Sequence, residues 1–449
     1  MILLAIDWSS VATKAGQFIL SFSILVVLHE LGHFIPARLF KCRVEKFYIF
    51  FNPWFSLWKR KIGETEYGFG WIPFGGYVKI SGMIDESMDK EQLKLPPQPY
   101  EFRAKKGWQR LIIMLGGVVV NVLLAIVIFI GIMWKWGEEY IPTSNLKYGV
   151  YADSLARKIG IQDGDKIIGV AGKPLEKVGT LGSEIIMNEA KELTIDRDGK
   201  IINVSIPEGF IGQLNKNKLG GFTYVRSPMI VDTVTAKAKI VSGTLQKGDT
   251  LISFNDTAIK FSSDLRKIML PKDKQVALKF IRNGKDTVTT VVYFDKQGES
   301  NILYQSLDKV LGSKQIHYSF AASIPAGWNR CWATLSKYIQ NLKLLFTSKE
   351  LKLQDSLGSV VSFANTFSDT WDWESFWTLT ALFSIILAFM NILPIPALDG
   401  GHALFTLVEM ITGKKPSDKF MEYAQMVGMI LLLSLMVYAL GLDFWRLFK

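Results

Sequence analysis

Four stretches of this chain are long and apolar enough to cross a bilayer, and that limits what it can fold into more than any other feature. A hydrocarbon core about 30 Å thick needs ~20 residues of helix, because backbone polar groups there must be satisfied within the segment. The stretches run from Ala15 to Leu39, Leu111 to Met133, Phe376 to Leu398 and Tyr423 to Leu442. The last carries no charge, and the second has Asn121 as its only strongly polar side chain. Ionisable residues interrupt the first, and Asp399 follows directly on the end of the third. A bilayer makes such residues costly, so function is sought there first.

The chain has 449 residues, 49% of them hydrophobic and 21% charged, a mixture that fits membrane spans joined to soluble modules. The net charge of +11 sits largely in clusters beside the apolar runs, such as Lys59 to Lys61 and Arg103 to Arg110. This pattern fits membrane orientation rather than nucleic-acid binding, and no nucleic-acid partner is expected. The basic flanks place the loops after the first span and between the third and fourth in the cytoplasm. Both termini and the long 135–375 segment then lie outside, in the periplasm of a bacterial inner membrane. Cys42 and Cys331 fall on opposite sides in this topology, so no disulfide is expected. The first stretch lacks a basic leader and a small-residue cleavage site, so no cleaved signal peptide is expected.

The long segment contains an internal repeat. Gln162-Asp163-Gly164-Asp165 is echoed by Gln246-Lys247-Gly248-Asp249, and Arg197-Asp198-Gly199-Lys200 by Arg282-Asn283-Gly284-Lys285. Asp-Gly and Asn-Gly between β-rich runs read as hairpin turns, with a helix expected in each unit over Leu181–Glu192 and Ser262–Met269. The order resembles circularly permuted PDZ domains, which bind extended peptides by strand addition. Glu64 to Lys79, where aromatic and β-branched residues alternate around glycines, reads as a β-hairpin. The aromatic run from Phe47 to Trp58 suits a membrane interface. Trp328 to Phe346 reads as an amphipathic helix on the membrane surface. The expected fold is a polytopic α-helical membrane protein with four transmembrane helices, a membrane-associated β-hairpin and two periplasmic β-rich PDZ-like domains. The boundaries are an N-terminal membrane half (1–134), the two β-rich domains (135–220 and 221–310), the surface-helix region (311–375) and a C-terminal membrane half (376–449).

His29-Glu30-Leu31-Gly32-His33 lies inside the first span. Residues four apart share a helix face, so both imidazoles can reach one metal ion. Glu30, about 100° further round, is placed to take a proton from a water on that metal. With 4 histidines and 41 acidic residues in the chain, chance supplies about 0.003 such patterns. Zinc is the expected ion, since two imidazoles, a carboxylate and an open position make a hydrolytic zinc site. The third ligand is sought in Asn391-Ile392-Leu393-Pro394-Ile395-Pro396-Ala397-Leu398-Asp399-Gly400-Gly401-His402, where two prolines break the third span. Asp399 is the candidate, with His402 as a rival beyond the glycine pair.

These motifs together resemble the site-2 protease family over nearly the whole chain. The resemblance implies that His29, His33 and Asp399 bind Zn2+, that Glu30 is the catalytic base and that Asn391 holds the substrate backbone. It also implies regulated cleavage of transmembrane segments in single-span substrates such as an anti-sigma factor, and of remnant signal peptides. An upstream protease trims the substrate first, and the PDZ pair restricts access until then. Tyr67 and Phe69 in the hairpin are candidate substrate contacts by strand addition. Two departures stand out: Gly116-Gly117-Val118-Val119-Val120-Asn121 lacks the family's Gly-Pro, and Leu357-Gly358-Ser359-Val360 lacks its proline. Asn121 therefore keeps two readings, substrate contact or interhelical hydrogen bond.

Three other functions compete. A membrane-anchored zincin acting outside the bilayer needs a polar face on the motif helix, whereas Gly16 to Leu28 is nearly all apolar. A non-enzymatic PDZ peptide receptor would not depend on Glu30. A zinc transporter has no use for a single site with a built-in base.

Overall fold

The computed structural model describes residues 8–73, 75–83, 96–216, 222–269, 271–296, 298–351 and 359–447. Phe74 of the expected hairpin, the 220/221 domain boundary, and Leu357 and Gly358 lie outside the described residues. The chain divides into two compact units. One comprises Met1–Gly137, His317–Leu342 and Leu357–Lys449, and the other Glu138–Ile316 and Lys343–Ser356.

The helices of the first unit are α1 (Trp8–Leu39), α2 (Gly107–Lys135), α3 (Phe320–Thr347, in this unit up to Leu342), α4 (Val360–Ala364), α5 (Trp373–Ile392), α6 (Asp399–Thr412) and α7 (Asp418–Leu447). Among the described residues, α1, α2, α5 and α7 are long and apolar enough to cross a membrane. The third span ends at Ile392 rather than Leu398. Pro394 and Pro396 cannot donate to a helical ladder, Ala397 turns with φ +82°, and α6 restarts at Asp399.

Lipid tails are as apolar as leucine, so close packing and buried polar bonds hold such helices together. The tightest contact joins α1 to α2. A Cβ added to Gly116 would lie 1.9 Å from the Gly32 carbonyl oxygen, and one added to Gly32 would lie 2.5 Å from the Gly116 oxygen. Pro36, four residues on in α1, has no N–H to offer that Gly32 carbonyl. Thr380 donates to Ser21 (2.9 Å) and Ser384 to the Asn121 carbonyl (2.7 Å), tying α5 to α1 and α2. Near the end of α7, the Asp443 carboxylate accepts from the Ser359 N–H (3.0 Å) and the Ser362 hydroxyl (2.8 Å), which caps α4. The expected surface helix begins earlier, at Phe320. Cys331 and Leu335 pack against Phe129 of α2 and Ile385 of α5, while Trp328 and Trp332 stay exposed.

A four-stranded sheet inserts between α1 and α2 in sequence: β1 (Val44–Ile49), β2 (Trp58–Ile62), β3 (Thr65–Phe69) and β4 (Tyr77–Ile80), in spatial order β2-β3-β1-β4. This corrects the hairpin expected over residues 64–79. β3 and β4 do not pair with each other; β1 lies between them, parallel to β3 and antiparallel to β4. The true hairpin is β2–β3, turning at Gly63 (φ +61°). The later glycines permit close approach instead. A Cβ at Gly68 would strike the Tyr48 ring at 2.4 Å, and one at Gly70 the Phe51 carbonyl at 2.1 Å.

The second unit has a four-stranded sheet of order Lys200–Ser205, Glu192–Arg197, Lys166–Val170, Lys173–Pro174. A five-stranded sheet follows, of order Lys239–Ser242, Asp286–Phe294, Lys274–Arg282, Thr250–Phe254, Thr257–Ala258. Each has its own apolar core, around Ile195 and around Phe280. Both central hairpin turns have two positive φ values, at Asp198 and Gly199 and at Asn283 and Gly284, as a type I′ turn requires. The helix expected to Glu192 stops at Met187, and a 3-10 turn over Ser262–Lys267 replaces the other.

The echoed residues form the same bidentate ion pair twice. Arg197 grips Asp165 with bonds of 2.7 and 2.8 Å, and Arg282 grips Asp249 with bonds of 2.9 and 2.7 Å. The Arg282 hydrogen bond holds the Asp249 carboxyl below the usual aspartate range. Its contribution to stability is present above the unfolded value and lost as pH falls through the folded one. Acidification below about pH 4 should therefore loosen the five-stranded sheet. Hydrogen exchange of peptides spanning residues 246–282 in the full chain checks this, and Arg282→Leu should remove that acid dependence.

Candidate metal centre

The two histidines of the motif lie one turn apart on α1, facing α2 and the start of α6. His29 Nε2 and His33 Nε2 are 3.3 Å apart, and the Asp399 Oδ2 atom is 3.4 Å from the first and 3.3 Å from the second. Among the described residues, these three form the one group of histidine, cysteine and acidic side chains able to hold a metal ion. Zinc binds nitrogen and oxygen at about 2.0–2.1 Å, and the edge of such a tetrahedron is ~3.3–3.4 Å. The three donor atoms thus match one face of a zinc tetrahedron. Asp399 Oδ2 is buried without a hydrogen-bond partner, as a ligand atom awaiting a cation would be.

Local structure explains the convergence. Pro394 and Pro396 end α5 and turn the chain back. Gly400 then passes so close to Ile392 that a Cβ would meet its backbone at 2.4 Å, and Gly401 meets Ile395 in the same way at 2.5 Å. Asp399 becomes the first residue of α6, where a carboxylate also suits the positive end of the helix dipole. Gly117 of α2 leaves room for both imidazoles; a Cβ there would lie 2.5 Å from His29 Cε1 and from His33 Nε2. His33 Nδ1 is 2.8 Å from the Ile113 carbonyl, which can only accept, so that nitrogen carries the proton and Nε2 keeps its lone pair.

The centre opens on a cavity of about 840 Å³ that Glu30, Asn52, Tyr77, Asn391 and Gln425 help to line. Glu30, next to the ligand pair, is packed from the sheet side by Gly76, where an added Cβ would come within 3.4 Å of Glu30 Cγ. Asn391 Nδ2 lies 3.3 Å from His29 Nε2, at the rim of the centre. His402 lines the same cavity but stands outside the three-donor group. Asn121 is fully buried, with its side chain 3.0 Å from His29 Nδ1. It makes an interhelical hydrogen bond and is not a wall of the cavity.

Tyr67 and Phe69 are not brought to the centre. β3 has strand neighbours on both sides, Tyr67 packs on Phe34 and Phe47, and Phe69 on Phe50. Among the described residues, the strand with an open edge beside the cavity is β4. Sequence reasoning also missed Gln425 of α7, which is 5% exposed with its Oε1 unpartnered. A lone glutamine in an apolar helix was the one available signal.

A bundle of apolar helices that carries two imidazoles, a carboxylate and a neighbouring glutamate in an open cavity defines the class of membrane metallohydrolases. The family model for peptidase family M50 matches residues 17–435, and the chain belongs to that family, the site-2 zinc metalloproteases. It is similar to the regulator of sigma E protease of Haemophilus influenzae, 26% identical over 96% of this chain and 98% of the relative. A candidate zinc metalloprotease of Rickettsia conorii is 29% identical over 96% and 98% of the two chains. Another, of Treponema pallidum, is 25% identical over 90% and 93%.

Two glycine replacements separate the roles of α2. Gly117→Ala presses a methyl on the histidines and should weaken zinc binding about tenfold or more while leaving the helices assembled. Gly116→Ala meets backbone instead and should lower the thermal unfolding midpoint in detergent. Equal zinc affinity in Gly117→Ala and wild type, measured by chelator competition, would contradict this division.

Proposed function

We propose that this zinc metalloprotease cleaves transmembrane segments of single-span membrane proteins within the bilayer, with His29, His33 and Asp399 holding the zinc ion and Glu30 as general base. The observation that carries this reading is the triangle of donor atoms at 3.3 to 3.4 Å beside Glu30, in helices long enough to span a membrane. Bound there, zinc would activate water at neutral pH and polarise a carbonyl. Glu30 takes the proton from the attacking water and delivers it to the leaving amine. Asn391, at the rim, offers its amide to the substrate backbone.

A substrate helix hides its carbonyls in intrahelical bonds, so it must be drawn out before attack. The open edge of β4 receives it as an added strand beside the cavity. This replaces the role first expected of Tyr67 and Phe69. The two β-sheet domains with matching Asp–Arg pairs act as periplasmic PDZ-like domains that admit a substrate once another protease has trimmed its outer domain. An anti-sigma factor is one fitting substrate and remnant signal peptides are another, and both termini are periplasmic in this reading.

Glu30→Gln should keep zinc, by metal analysis, and lose cleavage of a model transmembrane substrate by about 10²- to 10⁴-fold. Asp399→Asn should lose zinc affinity. Retained turnover in the first variant removes the base role, and unchanged affinity in the second removes the third ligand. Strand addition has a separate test: proline at the β4 position whose N–H points away from β1 should slow cleavage of a helical substrate more than that of an extended one. Equal effects on the two substrates count against it.

A further inference from the structure

The contacts to both Nδ1 atoms of the histidine pair come from α2. The Ile113 carbonyl fixes the proton of His33 on Nδ1, as described above. The corresponding atom of His29, Nδ1, lies 3.0 Å from the carboxamide of Asn121, drawn with Nδ2 toward the ring, an assignment that the hydrogen-bond network decides. The ring has two tautomers, and the carboxamide decides between them. With the amino group turned to His29, Nδ1 accepts and the ring proton sits on Nε2, aimed at His33 Nε2 and Asp399 Oδ2, where it blocks ligation. With Oδ1 turned to His29, Nδ1 donates and Nε2 is free to bind a metal.

Among the described residues, Nδ2 of Asn121 has His29 Nδ1 as its one hydrogen-bond partner, so no other contact holds the amide in that orientation. Asn121 Oδ1 is buried and accepts no hydrogen bond, so turning it toward Nδ1 forfeits none. The main chain beneath it is anchored, because Ser384 of α5 donates to the Asn121 carbonyl at 2.7 Å. The residue is fully buried, so water does not compete for the same nitrogen.

We propose that Asn121 is a positioning residue whose Oδ1 accepts the His29 Nδ1 proton, fixing the tautomer and ring plane that present Nε2 to the metal. The inference rests on the reading that His29 is a zinc ligand. Asn121 then acts through His29 and not on the substrate. In this chain the pair Ile113 and Asn121 makes α2 the common orienter of both imidazoles.

The test measures zinc affinity by chelator competition on the full chain in detergent, for wild type, Asn121→Leu, Asn121→Asp and His29→Ala. The visible spectrum of the cobalt-substituted protein is a second readout. Asn121→Leu keeps size and loses the acceptor, and should weaken zinc about 10- to 100-fold and alter the cobalt spectrum. Asn121→Asp keeps the acceptor and should bind zinc within a few-fold of wild type or more tightly. If Asn121→Leu binds zinc like wild type while His29→Ala does not, the proposal is overturned. A raised KM for a model substrate at unchanged zinc affinity also overturns it, in favour of substrate contact. Should Asn121→Leu not fold, a tenfold loss in Asn121→Asp overturns it equally. Full zinc binding by His29→Ala is the distinct result that removes the metal reading itself.

Discussion

The approach of α1 to α2 through facing glycines is the constraint on which the rest of the centre depends. Gly32 lies between the two histidines in the motif, and Gly116 and Gly117 meet it from the other helix. Backbones this close leave no space for a methyl group, and dispersion contacts replace the hydrophobic drive that lipid cannot supply. The same proximity brings the Ile113 carbonyl and the Asn121 amide within hydrogen-bonding reach of the imidazoles. With Gly116-Gly117 and no proline at this crossing, α2 runs unbroken from Gly107 to Lys135 past the histidines.

The third donor arrives by a different device. A carboxylate at the centre of a continuous span would have to pay for its own desolvation, but Asp399 begins a new helix after a proline-broken turn and opens on a cavity. Gly428 of α7 supports that turn from behind, close enough to Pro396 that a Cβ would lie 1.7 Å from its carbonyl oxygen. The geometry of the donor set is thus held by glycines on α2, α6 and α7 together.

Much of this could be read before any coordinates. His29, Glu30 and His33 were legible because helical spacing is local, and Asp399 because prolines and glycines mark a break. The spans were legible from hydropathy, apart from their ends: the third extended to Leu398 in the reading and stops at Ile392, since apolar side chains continue where the ladder cannot. The sheet was misread because its central pairing is non-local. Val44–Ile49 seats itself between two strands that composition alone joins into one hairpin, and nothing in the run from Glu64 to Lys79 announces it. Gln425 and the orienting role of Asn121 were hidden for a related reason: each depends on which neighbour a single amide meets across helices.

α7 is held at both ends and free between them. Its early turns are fixed by Phe420 on Phe405 and by Gly428 on Pro396, and its end by Asp443 on α4. Between Gly428 and Asp443 lies about 22 Å of helix whose Leu431, Leu433, Val437 and Tyr438 point outward. Side chains of this kind, exposed on a helix long and apolar enough to cross a membrane, are suited to acyl chains, so that stretch of α7 offers lipid a surface rather than a packing partner.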